Sequence, residues 1–113
     1  MATDIHAKLS FCGVSAQKAR LIVDLVRGRP AVDALNTLKF MPQTAAKHVS
    51  KLLSSAVANA EENFGVSRDD LYVYRIVADE GPTRKWRRFG ARGRFKPLLR
   101  RTSHITVVLR ERE

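Results

Sequence analysis

Thr83-Arg84-Lys85-Trp86-Arg87-Arg88-Phe89-Gly90-Ala91-Arg92-Gly93-Arg94-Phe95-Lys96-Pro97 lies between two runs that read as strands. Leu71-Tyr72-Val73-Tyr74-Arg75-Ile76-Val77-Ala78 precedes it, and His104-Ile105-Thr106-Val107-Val108-Leu109 follows. Both runs are rich in β-branched and aromatic residues, which suit a pleated, half-buried surface. A structureless connection of this length would be out of place inside a compact domain. An antiparallel hairpin that continues beyond the sheet accounts for it. Pairing about the midpoint of residues 75–108 puts the turn at Gly90-Ala91-Arg92-Gly93, where two glycines supply permissive backbone. Each arm, from Gly81 or Arg101 to the tip, would reach roughly 30 Å at about 3.3 Å per residue. Such a ribbon has no core of its own, so in free solution it is expected to be only partly formed.

The charge is concentrated in this region. Residues Gly81 to Arg110 hold ten of the 21 Lys and Arg residues and none of the 11 Asp and Glu. The remainder carries eleven of each sign, so the whole net charge of +10 sits in one segment. Charge confined in this way is the footprint of a polyanion. Trp86, Phe89 and Phe95 are interleaved with the arginines. Arginine forks take phosphates and stack on bases, and aromatic rings stack too, so the mixture suits RNA.

Outward from the ribbon, the chain reads as one small domain. At 113 residues and 44% apolar content it can bury a modest core. Ile5, Ala7, Leu9 and Phe11 alternate with His6, Lys8, Ser10 and Cys12, the pattern of a half-buried strand. Ser15 is placed to cap a helix over Ala16–Arg27, with Ala19, Leu21, Ile22, Leu25 and Val26 on its apolar face. Gly28 ends that helix. Ala31–Phe40 reads as a second helix, with Leu35 and Leu38 inward. The third runs from Thr44 to Asn63. Ala45, Val49, Leu52, Leu53, Ala56, Val57, Ala60 and Phe64 recur along it at helical spacing, and Gly65 stops it. The expected architecture is α+β: a three-stranded antiparallel sheet packed against three helices, with a long extended β-hairpin. Residues 1–113 form a single domain in this reading, with the extension at about 80–103.

Chemistry of other kinds finds little support. The N-terminus has no apolar run behind a basic flank, and no stretch approaches the length of a membrane span. A lone Cys12 leaves no intramolecular disulfide and fits a reducing cytoplasm. Asp79-Glu80 with His104 resembles a fragment of a metal-nuclease site, but adjacent strand residues point to opposite faces and more carboxylates would be needed. Gly90-Ala91-Arg92-Gly93-Arg94 lacks the spacing and the Lys-Ser/Thr of a phosphate-binding loop. No catalytic residue, cofactor or metal is expected.

Asp79-Glu80-Gly81-Pro82, Gly93-Arg94 and Arg100-Arg101-Thr102-Ser103-His104-Ile105-Thr106-Val107-Val108 resemble the signature of the bacterial large-subunit ribosomal protein twenty-two family. Ser15-Ala16-Gln17-Lys18-Ala19-Arg20 and Ala56-Val57-Ala58-Asn59-Ala60-Glu61 match the same family. The resemblance spans nearly the whole chain. It implies a small α+β domain on the large ribosomal subunit whose hairpin reaches into 23S rRNA. The implied partners are large-subunit rRNA, neighbouring ribosomal proteins and the nascent polypeptide, with no membrane and no homo-oligomer.

Charge and resemblance together nominate the rRNA-binding residues Arg84, Lys85, Trp86, Arg87, Arg88, Phe89, Arg92, Arg94, Phe95, Lys96, Arg100 and Arg101. The matching motifs add Ser103, His104, Lys18 and Arg20. By resemblance, Arg88, Phe89, Gly90, Ala91, Arg92 and Gly93 form a tip lining the nascent-peptide exit tunnel. Trp86, Phe89, Gly90 and Phe95 depart from the residues expected near that tip. The rival reading is an independent RNA- or DNA-binding module acting off the ribosome.

Overall fold

The protein was analysed as a computed structural model that describes residues 4–89 and 95–112, with the backbone alone for 84–89 and 95–100. Its elements are β1 (Asp4–Cys12), α1 (Ala16–Val26), α2 (Ala31–Lys39), α3 (Thr44–Phe64), β2 (Leu71–Glu80), β3 (Arg84–Phe89), β4 (Phe95–Arg100) and β5 (Ser103–Glu111). A 3-10 turn, Arg68–Asp70, leads into β2. The strands β1, β5 and β2 form an antiparallel sheet in that spatial order, while β3 and β4 form a separate two-stranded ribbon. The α+β architecture expected from the sequence is the one observed.

The core lies between the helices and one sheet face. On α3, Ala45, Ala46, Val49, Leu52, Leu53, Ala56, Val57 and Ala60 are all buried. Half of that face is alanine, which lets the helix approach the sheet closely. It packs with Ile5 of β1, Val73 and Ile76 of β2, and Ile105, Val107 and Leu109 of β5 in one cluster. Burying a side chain such as Leu53 contributes about 1.5–3 kcal/mol. Gly65 ends the helix with a left-handed φ of 64°, a conformation that suits glycine. Phe64, expected on the apolar face, is instead exposed because the core stops a turn earlier.

Two other expectations need correcting. On α1 the buried residues are Ala16, Ala19, Ile22, Val23 and Val26, whereas Leu21 is 68% exposed and Leu25 is also outside. The helix is rotated so that its smaller residues face β2 and α3. On β1 the alternation holds as far as Leu9 and then breaks at a register shift before Cys12. Phe11 takes a positive φ of 55° and turns outward, and Cys12 turns into the core in its place. The reason is local: the Phe11 N–H donates to His104 Nδ1 at 3.0 Å, and the two rings meet edge-on at 4.9 Å.

The outer edge of β2 is covered by the α1–α2 connection. Arg20 Nε donates to the Ala78 carbonyl at 3.2 Å and an Arg27 guanidinium nitrogen to that of Ile76 at 2.9 Å. Gly28 N–H donates to the Val73 carbonyl, and Val73 N–H to that of Arg29. These contacts satisfy backbone groups that would otherwise offer a template for another strand.

Candidate nucleic-acid interface

The ribbon grows directly out of the sheet. β2 pairs with β5 from Arg75 opposite Val108 to Glu80 opposite Ser103, the register that the sequence symmetry implied. Gly81 N–H then donates to the Thr102 carbonyl at 2.9 Å. Beyond that point the arms fall out of step. Gly81, Pro82 and Thr83 on one arm face only Arg101 and Thr102 on the other before Arg84 pairs with Arg100. The extra residue ends the sheet and starts the ribbon one position out of the expected register. Such insertions increase local twist and re-aim a strand pair.

Gly81 sits at this junction for a steric reason. A Cβ on it would lie 2.5 Å from Thr102 Oγ1 and 3.2 Å from His104 Nε2. The Thr102 hydroxyl donates to the Pro82 carbonyl at 2.7 Å, which ties the two arms together at their base.

Within the ribbon, the pairing puts cations opposite cations. Arg84 faces Arg100 and Arg88 faces Lys96, while Phe89 faces Phe95, Trp86 faces Leu98, Lys85 faces Leu99 and Arg87 faces Pro97. Like charges directly across an antiparallel pair are destabilising, and a polyanion along the ribbon would relieve them. Gly90, Ala91, Arg92, Gly93 and Arg94, and with them the expected turn, lie outside the described residues. The molecule measures 63 × 24 × 19 Å. Its longest element within the globular part, α3, accounts for only about 30 Å at 1.5 Å per residue.

At the foot of the ribbon a cleft of about 950 Å³ separates it from the helices. Lys18 on α1 and Arg101 beside β5 both line it, although the sequence sets them far apart. The N-termini of α1 and α3 also open onto it, through Ser15 and Thr44. Neither helix has an acid in its first turn, so nothing on the helix itself offsets the positive end of the dipole. Ser15 Oγ accepts the Lys18 N–H at 3.4 Å. Glu80 is the opposing charge on the wall. Two cations and two helix ends outweigh it, which makes the cleft suited to a phosphate.

The structure sorts the other nominated residues. Ser103 is fully buried and its hydroxyl donates to the Val14 carbonyl at 2.7 Å, so it cannot touch RNA; it anchors the strand instead. His104 is half-buried, with Nδ1 held by Phe11, so it braces the junction. Arg20 is exposed but commits its Nε to the β2 edge. Asp79 does pair with His104 across the strands. Among the described residues, however, no group of three or more His, Cys, Asp and Glu could hold a metal ion. The sequence reading missed Phe11 and Thr102. The unbroken alternation of residues 5–12 gave no signal for the first.

Fold and site together define a small α+β domain that holds a cationic two-stranded ribbon out from its sheet, with a basic cleft at the ribbon's foot. Residues 7–110 match the family described as "Ribosomal protein L22p/L17e", and the chain belongs to that family. It is similar to proteins named "Large ribosomal subunit protein uL22" from several bacteria. That of Caldicellulosiruptor saccharolyticus is 49% identical over 107 residues, covering 95% of this chain and 88% of the relative. That of Pediococcus pentosaceus is 45% identical, with 98% and 94% covered. That of a Thermoanaerobacter species is 49% identical, with 97% and 99% covered.

Proposed function

We propose that this protein is a structural, non-enzymatic constituent of the large ribosomal subunit in the cytoplasm, where it binds and organises 23S rRNA. The observation that carries this reading is the ribbon: all the net charge lies in one strand pair and its continuation, with cations in register across it. Membership of the family supplies the context. The mechanism is charge neutralisation. Packed rRNA segments repel one another, and a ribbon of arginines threaded between them lets them approach. Selectivity comes from RNA shape and stacking more than from base edges.

The arms Arg84–Phe89 and Phe95–Arg100 carry most phosphate contacts, and the cleft by Lys18 and Arg101 takes backbone at the base. The tip around Arg88–Gly93 reaches the nascent-peptide tunnel and meets the growing chain there. The protein acts as a single domain and as one copy, beside neighbouring ribosomal proteins and without a membrane. Among the described residues no helix is long and apolar enough to cross one.

Sucrose-gradient fractionation of cells expressing a tagged copy tests the reading. Stoichiometric cosedimentation with large subunits is expected. Residence in the light fractions, with RNA or DNA bound there, would favour a module acting off the ribosome.

A further inference from the structure

His104 stands on β5, the central strand, with a different partner on either side. Towards β1, its Nδ1 accepts the Phe11 N–H at 3.0 Å, and the two rings meet edge-on at 4.9 Å. Towards β2, it is directly opposite Asp79 in the antiparallel register. Side chains of such a pair share one sheet face and lie within reach of each other. Its Nε2 packs on the ribbon's foot, where a Cβ on Gly81 would come within 3.2 Å of it. One half-buried ring therefore touches both the end of β1 and the point where the ribbon leaves the sheet.

The contact with β1 is a forced one. Phe11 has a φ of 55°, the only positive φ among the described non-glycine residues. Such a conformation persists only where its surroundings impose it. Here the bond to Nδ1 imposes it, and that bond needs a bare nitrogen. It exists only while the imidazole is neutral, with its proton on Nε2. Protonation puts an N–H on each ring nitrogen, so a donor would face a donor.

The neighbouring charges give the ring somewhere else to go. Among the described residues, the charged groups next to it on this face are Asp79 on β2 and Lys8 on β1, opposite Thr106. His6 and Arg75 lie further along, opposite Val108, and Glu80 and Arg101 line the cleft on the helix side. A cationic ring is repelled from the β1 side by Lys8 and drawn to the β2 side by Asp79.

We propose that His104 is a positioning residue that works as a proton-operated latch on the ribbon. Neutral, it bonds Phe11, ties β1 to the junction and wedges against Gly81, which fixes the direction in which the ribbon leaves the sheet. Protonated, it releases Phe11, turns towards Asp79 and withdraws from Gly81, and the ribbon's foot is freed from β1. The inference depends on the junction alone, so it stands apart from what the ribbon binds.

Nuclear magnetic resonance of the full-length protein tests it between about pH 8 and pH 5, the range over which histidine changes charge. As His104 protonates, the φ-dependent coupling of Phe11 should change. The protection of its amide should fall about tenfold, the scale of one lost hydrogen bond. Residual dipolar couplings of Gly81, Thr83 and Thr102 should shift in the same step relative to those of Ile105–Leu109. His104→Asn keeps an acceptor near the place of Nδ1 and does not protonate, so it should hold the wild-type pH 8 couplings throughout. His6→Asn should titrate as the wild type does.

A Phe11 bond that survives to pH 5 would overturn the proposal. So would its loss with the couplings of the ribbon's foot unmoved, which would make His104 a local contact only. A folded His104→Asn protein that shifts as the wild type does would also overturn it. The wild-type titration decides the matter even if that variant does not fold.

Discussion

β2–β5 and β3–β4 are successive lengths of the same two chain arms, yet different forces hold them. The first pair is roofed by α1 and α3, and its inward residues Val73, Ile76, Ile105, Val107 and Leu109 are buried. The second forms its own two-stranded sheet, with Arg84 opposite Arg100 and Arg88 opposite Lys96. Antiparallel pairing alone is marginal in water, and like charges across it make it weaker. The lesson is that strand pairing in this molecule is a geometry whose stability is supplied from outside the pair. For the sheet it comes from a helical layer, and for the ribbon rRNA is the proposed source. The boundary between the two regimes is narrow: Gly81, Pro82 and Thr83 against Arg101 and Thr102.

The largest effects should separate the two regions. Leu53→Ala should cost about 2–5 kcal/mol of folding stability, because it empties fully buried volume. Leu98→Ala in the ribbon should change it by less than about 0.5 kcal/mol. Urea denaturation measures both, and comparable losses would erase the distinction. The reverse pattern is expected for function. Arg100→Glu with Arg101→Glu should block incorporation into large subunits while leaving the melting temperature nearly unchanged. Affinity of the wild-type protein for rRNA fragments should fall steeply with salt. A log–log slope of roughly −4 to −7 is expected if five to eight of the basic residues engage phosphates.

Intermediate effects are expected at the boundary. Ser103→Ala removes the hydroxyl that satisfies the Val14 carbonyl and should cost about 1–3 kcal/mol. Gly81→Ala forces Thr102 Oγ1 and His104 to move, at about 1–3 kcal/mol by analogy with overpacked cores. It should also re-aim the ribbon and so weaken rRNA binding by more than its stability cost explains. Equal proportional losses would mean that Gly81 sets stability alone.

The smallest effect lies at the far end of the sheet. The Arg110 hydrogen bond holds the Asp4 carboxyl below its ordinary value of 3.8. The charged form is therefore favoured in the folded state. Its contribution is present above pH 3.8 and fades as pH falls through the lower, folded value. Asp4→Asn should flatten acid denaturation only slightly, since the pair is partly exposed. A large change in the acid midpoint would show that this strand end is held by the ion pair after all.

Much of the fold could be read from residue pattern because its signals are long. The α3 face repeats over many turns, and the symmetric runs around residues 75–108 set the β2–β5 register. What the pattern could not show depends on single atoms brought together from distant parts of the chain. Leu21 and Leu25 are as apolar as Ile22 and Val23, and only the packing of α1 on β2 decides which stripe is buried. Phe11 leaves the core because His104 accepts its N–H. Ser103 sits in a basic motif and reads as a ligand, yet its hydroxyl serves Val14. The concentration of cations in the ribbon is visible in the sequence itself. The cleft that joins Lys18 to Arg101 was not, because no local signal links α1 to the strand after β4.

The central claim is that the sheet is ordered by its own core and the ribbon by its partner. Amide hydrogen exchange on the free protein and on the same protein bound to an rRNA fragment tests it most directly. In the free protein, Ile105–Leu109 and the amides around Leu53 should be strongly protected, while Arg84–Phe89 and Phe95–Arg100 exchange rapidly. Binding should add protection mainly to the ribbon. Ribbon amides already as protected as those of β5 in the free protein would contradict the account.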